Sequence, residues 1–142
     1  MPRPQRRPVG TLLANVAKSV SRAFDLTLTD AGGSRPMWLI LIALKAEPSA
    51  HQRQLAESIG IQEATLTHHL NAMESSGLLV RRRDPVNRRV HVVEPTDAGD
   101  AMFHQLRKSV AAFDKRLRTG LSEDDVGQLE RLLDVLQSNV GR

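Results

Sequence analysis

Apolar positions along most of this chain recur every three or four residues, the spacing of amphipathic helices. Leu13, Val16, Val20 and Phe24 mark a first helix over residues 9–28, and the cluster Asp30-Ala31-Gly32-Gly33-Ser34 reads as the turn after it. Pro36 is tolerated in a first helical turn, and residues 37–46 form an almost unbroken apolar run, the pattern of a buried helix. Glu47-Pro48-Ser49 ends it. Leu55, Ala56 and Ile59 mark a short helix stopping at a Gly60-Ile61 turn, and another helix runs from Gln62 to about Ser76, before Gly77. The pattern then changes. Residues 79–83 and 90–94 are β-prone and flank Asp84-Pro85-Val86-Asn87-Arg88-Arg89, whose Asp-Pro and Asn are turn formers, so a hairpin is expected. Thr96 is placed to N-cap a long helix carrying Met102, Leu106, Val110, Phe113 and Leu117, which Gly120 ends. Ser122 with Asp125 three residues on resembles a capping box opening a last helix. There Val126, Leu129, Leu133, Leu136 and Val140 recur at alternating spacings of three and four, with Leu132 alongside. So wide an apolar stripe needs another helix to cover it, from the same subunit or a second one.

Helix, glycine turn, helix and basic hairpin over residues 52–99 are the layout of a winged helix-turn-helix, whose second helix enters a DNA major groove. The expected fold is mainly α with a small β-wing. On a helical wheel Leu66, Leu70 and Met73 share the core side of the second helix. The opposite side carries Ala64, His68, Asn71 and Ser75, with Thr65 and Thr67 on its flanks and Gln62 at the start. Thr can reach phosphate or a thymine methyl, Asn can pair bidentately with adenine, and His can donate to guanine. An ordinary solvated helix face would also be polar; the basic hairpin that follows favours the DNA reading. From Arg81 to Arg89 there are five arginines against one aspartate. Arg81, Arg82 and Arg83 are expected to divide between phosphates and internal pairs with Asp84, Glu74 or Glu94. Arg88 and Arg89 are expected to contact DNA, in a narrow minor groove or at phosphates.

Composition narrows the classes. The length of 142 residues suits one compact domain able to bury a core. There are no cysteines, which excludes disulfides and thiolate metal sites. The net charge of +4 is a mild indication of an anionic partner. Aromatics make up 3% with no Tyr, against a stacking platform for single strands. Residues 1–8, with three arginines and three prolines, read as a flexible basic arm with no apolar stretch behind it. A soluble, cytoplasmic protein, associated with the bacterial nucleoid when bound, is expected, with no membrane partner. His68 and His69 do not form a metal site, since neighbours on a helix diverge by roughly 100°; His69 falls at the core edge. No nucleophile-base set or carboxylate pair suggests an enzyme.

At Leu55-Ala56-Glu57, Gly60-Ile61, Thr65-Leu66-Thr67, Leu70, Gly77-Leu78, Asp84-Pro85, Asn87-Arg88-Arg89 and Thr96-Asp97-Ala98-Gly99, the chain resembles the MarR family of bacterial transcription regulators. The likeness extends from about Val9 to Val140. It implies a homodimer whose first and last two helices interlock and hold two winged lobes over a pseudo-palindromic operator. Here the interlocking positions are Leu13, Val16, Val20, Phe113, Leu117, Val126, Leu129, Leu133, Leu136 and Val140. Residues 9–30 and 97–142 would then be the dimerisation region and residues 34–96 the DNA-binding lobe. The resemblance places base contacts at Ala64, Thr65 and His68 and the wing arginine at Arg89, beside Arg88. With Gln62, Thr67, Asn71 and Arg83 these make the expected DNA-binding set. It also implies a repressor released by a small aromatic or anionic effector, with no cofactor.

Three positions depart from the family pattern. Asn87 replaces an Asp, exchanging an ion pair that orients Arg89 for a weaker hydrogen bond. His68 stands where a basic residue is common. Pro95 replaces a Leu, so the second wing strand is expected to end early. The absence of cysteine argues against the peroxide-sensing branch. Two other readings compete. Thr67-His68-His69-Leu70 also resembles the recognition helix of ArsR-type metal-responsive regulators, and a winged fold can serve as a protein-interaction module.

Overall fold

The structure, a computed structural model, describes residues 6–141, so the first five residues of the expected basic arm lie outside it. Among the described residues the elements are α1 (Val9–Asp30), α2 (Arg35–Ala46), β1 (Ala50–His51), α3 (Gln52–Ile59), α4 (Glu63–Ser75), β2 (Leu79–Arg83), β3 (His91–Pro95), α5 (Asp97–Leu117) and α6 (Glu123–Val140). The strands form one antiparallel sheet in the order β1-β3-β2. This is the mainly helical, winged architecture that the apolar spacing predicts, with one further strand.

That strand, β1, pairs Ala50 with Val93 and His51 with Val92. Two residues are too few to show a period-2 alternation, which is why the sequence does not disclose it. The second wing strand does not end early. It begins one residue later than expected and runs through Pro95, which faces Leu79 on β2. Pro95 lies beyond the reach of the short β1, so its missing N–H leaves no ladder partner on that side unpaired.

The chain divides into two compact units, residues 1–110 and residues 111–142, with the division inside α5. The first holds the core. Leu28 of α1, Ile40 and Leu44 of α2, Leu55 of α3, Leu66 and Leu70 of α4, Leu79, Val93 and Leu106 are all fully enclosed. Trp38 and Phe103 stack with ring centroids 5.6 Å apart. Ser34 caps α2 by accepting the Met37 N–H, with proline in the first turn. Two tight approaches fix the rest. A Cβ on Gly33 would press into the Leu106 side chain, and one on Gly99 would collide with the Leu78 carbonyl oxygen.

In the second unit the capping box at the start of α6 is complete, with Ser122 accepting from the Asp125 N–H and Asp125 from the Ser122 N–H. The α6 helix has no buried residue. Leu129, Leu132, Leu133, Val140 and, on α5, Leu117 are exposed, while Phe113, Val126 and Leu136 are half-buried. In the first unit Leu13 and Val16 of α1 are exposed and Val20 is half-buried.

Candidate nucleic-acid interface

The interface is built on α3, the turn and α4. Gly60 ends α3 at φ 80°, a left-handed conformation that suits glycine, and its N–H returns to the Ala56 carbonyl. Burial of Leu66, Leu70 and Met73 then fixes which face of α4 points outward. Gln62, Ala64, Thr65, His68, Asn71 and Ser75 are exposed, whereas Thr67 and His69 are half-buried. Gln62 is the N-cap residue of α4, and its side chain makes no capping bond.

Two of these side chains already have partners. The Thr67 hydroxyl accepts a 2.7 Å hydrogen bond from Gln52 Nε2. Asn71 Oδ1 accepts from Arg81 Nη2, so bidentate pairing of Asn71 with an adenine requires that bond to break.

The five wing arginines separate into two groups. Arg81 is held by Glu74 through its backbone N–H at 3.0 Å and its Nη2 at 3.2 Å. Arg82 is held by Glu94, with Nε at 2.9 Å and Nη2 at 2.6 Å. The guanidinium of Arg81 holds the Glu74 carboxyl below its ordinary range, and Arg82 does the same to Glu94, which also accepts from Ser49 Oγ at 3.2 Å. Among the described residues Arg83 reaches only the Arg88 carbonyl, at 3.3 Å. Among the described residues no hydrogen bond or ion pair engages the side chains of Arg88 and Arg89. The Asn87 amide does receive a bond from Arg89, but from its backbone N–H at 3.3 Å, leaving the guanidinium unoriented by Asn87. Among the described residues Asp84 forms no ion pair with an arginine. Backbone N–H groups of Val86 and Asn87, and then the His51 imidazole, draw its carboxyl below the usual range.

The recognition helix and the wing border one open groove of about 420 Å³. Ala64 and Thr67 of α4, Gln52 and Arg53 of α3, and Arg89 and His91 of the wing all line it. The sequence reading misses Gln52, Arg53, His51 and His91 as participants. Only the position of Gln52 and Arg53 at the start of α3 hints at them, and nothing in the spacing brings His51 to the wing.

The relation of wing to α5 is fixed by Thr96. Its hydroxyl donates to the Gly77 carbonyl and accepts the Gly99 N–H at 3.1 Å, while its own N–H donates to Leu78 O at 3.1 Å. Among the described residues no cluster of three or more His, Asp or Glu could hold a metal ion, and no helix is long and apolar enough to cross a membrane.

A helix-turn-helix followed by an arginine-tipped antiparallel wing defines the winged helix-turn-helix class. Residues 34–91 match the MarR family. A structure described as the transcriptional repressor CouR bound to a 23-mer DNA duplex is 28% identical, with a TM-score of 0.81, the match covering 91% of this chain and 92% of that one. A MarR-family transcriptional regulator from Rhodococcus sp. RHA1 is 26% identical, with a TM-score of 0.76 over 92% and 90% of the two chains. The PcaV transcriptional regulator from Streptomyces coelicolor, in complex with its natural ligand, shares the fold at 22% identity and a TM-score of 0.78, covering 96% and 99%. The winged helix-turn-helix of this chain is thus similar to the MarR family over residues 34–91, and the chain shares its fold with structures described as transcriptional regulators.

Proposed function

We propose that this protein is a sequence-specific transcription regulator, a repressor, that binds a pseudo-palindromic DNA operator as a homodimer. The observation that carries this reading is the shared groove, where the outward face of α4 meets a wing whose Arg88 and Arg89 have no internal partner among the described residues. On the outward face of α4, Ala64 in the groove and Thr65 and His68 beside it read base edges, while Arg53 and Arg83 add positive charge to a surface that phosphates would occupy. Arg81 and Arg82 support the wing from within. The likeness to a repressor seen on a DNA duplex agrees with the assignment.

The dimer follows from α6. A helix with no buried residue and three exposed leucines in its middle calls for a second surface, and a second copy supplies one by symmetry. Residues 9–30 and 97–142 then form the dimerisation region, and residues 34–96 the DNA-binding lobe. A small aromatic or anionic effector releases the operator, a reading supported by a fold relative that was solved with its natural ligand. Such a regulator works in the cytoplasm, where the DNA is.

The test is selection from random duplex DNA with the purified full-length protein. The expected result is an enriched pseudo-palindrome with half-sites about one helical turn apart, bound with steep salt dependence. Recovery of no preferred sequence would overturn the proposal and favour a protein-interaction module.

A further inference from the structure

Two consecutive residues at the junction of β1 and α3 reach in different directions. His51 is the N-cap residue of α3, yet its side chain makes no capping bond. A serine, threonine or aspartate there would turn back onto the helix. The His51 imidazole instead places Nε2 3.0 Å from Asp84 Oδ2, at the foot of the wing turn. The next residue, Gln52, donates from Nε2 to the Thr67 hydroxyl on α4.

The wing turn is folded around the Asp84 carboxylate. Asp84 Oδ1 accepts the backbone N–H of Val86 at 2.8 Å and of Asn87 at 3.1 Å. The Asp84 N–H donates to the Val90 carbonyl at 2.9 Å, and the Val90 N–H to the Asn87 carbonyl at 3.0 Å. Arg88 and Arg89 therefore ride on a turn whose central carboxylate is anchored by His51.

We propose that His51 and Gln52 are paired positioning residues for DNA reading, His51 setting the wing tip through Asp84 and Gln52 setting the Thr67 hydroxyl. One backbone junction thus holds the wing and the recognition helix in a fixed relation. This rests on the DNA-binding reading given above. For the wing, the consequence is fewer conformations to lose when the arginines meet DNA. For Thr67 the consequence is chemical. A hydroxyl has one donor and two acceptor lone pairs. With the Gln52 amide filling one lone pair, the hydroxyl keeps its O–H and a single lone pair, and the fixed geometry favours presenting the O–H to acceptors: phosphate oxygen, guanine N7 or O6, adenine N7 or thymine O4.

The experiment measures base preference, by selection from random duplexes, and the dependence of affinity on salt for the full-length protein and its variants. His51→Leu is expected to lower affinity about 3-fold to 10-fold and to reduce the salt slope, with base preference unchanged. His51→Gln, which keeps a donor toward Asp84, should restore most of the slope. Gln52→Leu is expected to relax preference about 5-fold at one position per half-site while the slope stays as in the parent. Gln52→Glu should turn the Thr67 hydroxyl inward, toward the new carboxylate, and move preference at that position toward bases that donate there, adenine N6 or cytosine N4. Variants that share the parent's slope and preference overturn the proposal, as does a uniform affinity loss without this division. If the parent protein selects no DNA, the function reading fails instead. Positioning is then judged on the free protein, where Asp84→Asn should shift the His51 imidazole nitrogen resonances in NMR spectra. Unmoved resonances overturn it.

Discussion

Glu74 and Arg81 join the recognition helix to the first wing strand: one carboxylate receives both the backbone N–H and the guanidinium of the arginine. An arginine so engaged cannot also serve as an unencumbered phosphate contact, although its sequence surroundings look the same as those of its neighbours.

The first prediction separates these roles. Arg89→Ala is expected to lower the slope of log affinity against log salt by about one, and Arg88→Ala by less, as for lost phosphate contacts. Arg81→Ala should leave that slope nearly unchanged and lower stability by about 0.5 kcal/mol, the solvent-screened scale of a surface pair. Equal slope changes for Arg81→Ala and Arg89→Ala would refute the division.

The same pairs predict an acid response. Glu74, Glu94 and Asp84 are all held below their ordinary values, 4.5 for the glutamates and 3.8 for the aspartate. A carboxyl whose folded value is depressed contributes stability that is fully present above the unfolded value and is lost as pH falls through the folded one. The urea midpoint should therefore hold between about pH 5 and about pH 7 as far as these groups are concerned, and fall below about pH 4.5, where the glutamates begin to take up protons in the unfolded chain. Glu74→Gln should remove part of that fall. If the Glu74→Gln variant kept the parent's full acid slope, Glu74 would contribute nothing to the linkage.

The junction between wing and α5 gives a third prediction. Thr96→Val keeps the shape but removes the hydroxyl that bonds both Gly77 and Gly99, and should cost about 1–2 kcal/mol in chemical denaturation. Gly99→Ala places a methyl against the Leu78 carbonyl and should cost about 1–3 kcal/mol, as overpacking does. Wild-type stability in both variants would mean that α5 does not start against Leu78.

Much of this is legible in the sequence because helical periodicity and caps are local signals. Leu66, Leu70 and Met73 fix the inward face of α4 by spacing alone, and Ser122 with Asp125 announces α6. The misses share a different cause. The propensity of Pro95 argues for a strand that stops, whereas the short reach of β1 decides that a proline is tolerated there. Glu74 and Glu94 take Arg81 and Arg82 as expected, but among the described residues Asp84 pairs with no arginine, because its carboxylate is turned to the Val86 and Asn87 N–H groups and to His51. His51 lies 33 residues from Asp84, a separation at which no pattern of spacing operates.

The last prediction concerns the apolar face of α6. Leu129 and Leu133 are 48% and 39% exposed, four residues apart and so on one face, with no buried residue elsewhere on the helix. Covering a leucine is worth about 1.5–3 kcal/mol when burial is complete, and a twofold interface counts each position twice. Replacing both by glutamate puts four carboxylates into such a seam, which charge burial would disfavour strongly. The double variant Leu129→Glu, Leu133→Glu should therefore run as a monomer in light scattering. It should keep the helical circular dichroism of the first unit and lose at least about 10-fold in operator affinity, since each lobe then binds its half-site alone. A variant that stays dimeric and binds operator as the parent does would place the seam elsewhere and leave the α6 stripe without a role in assembly.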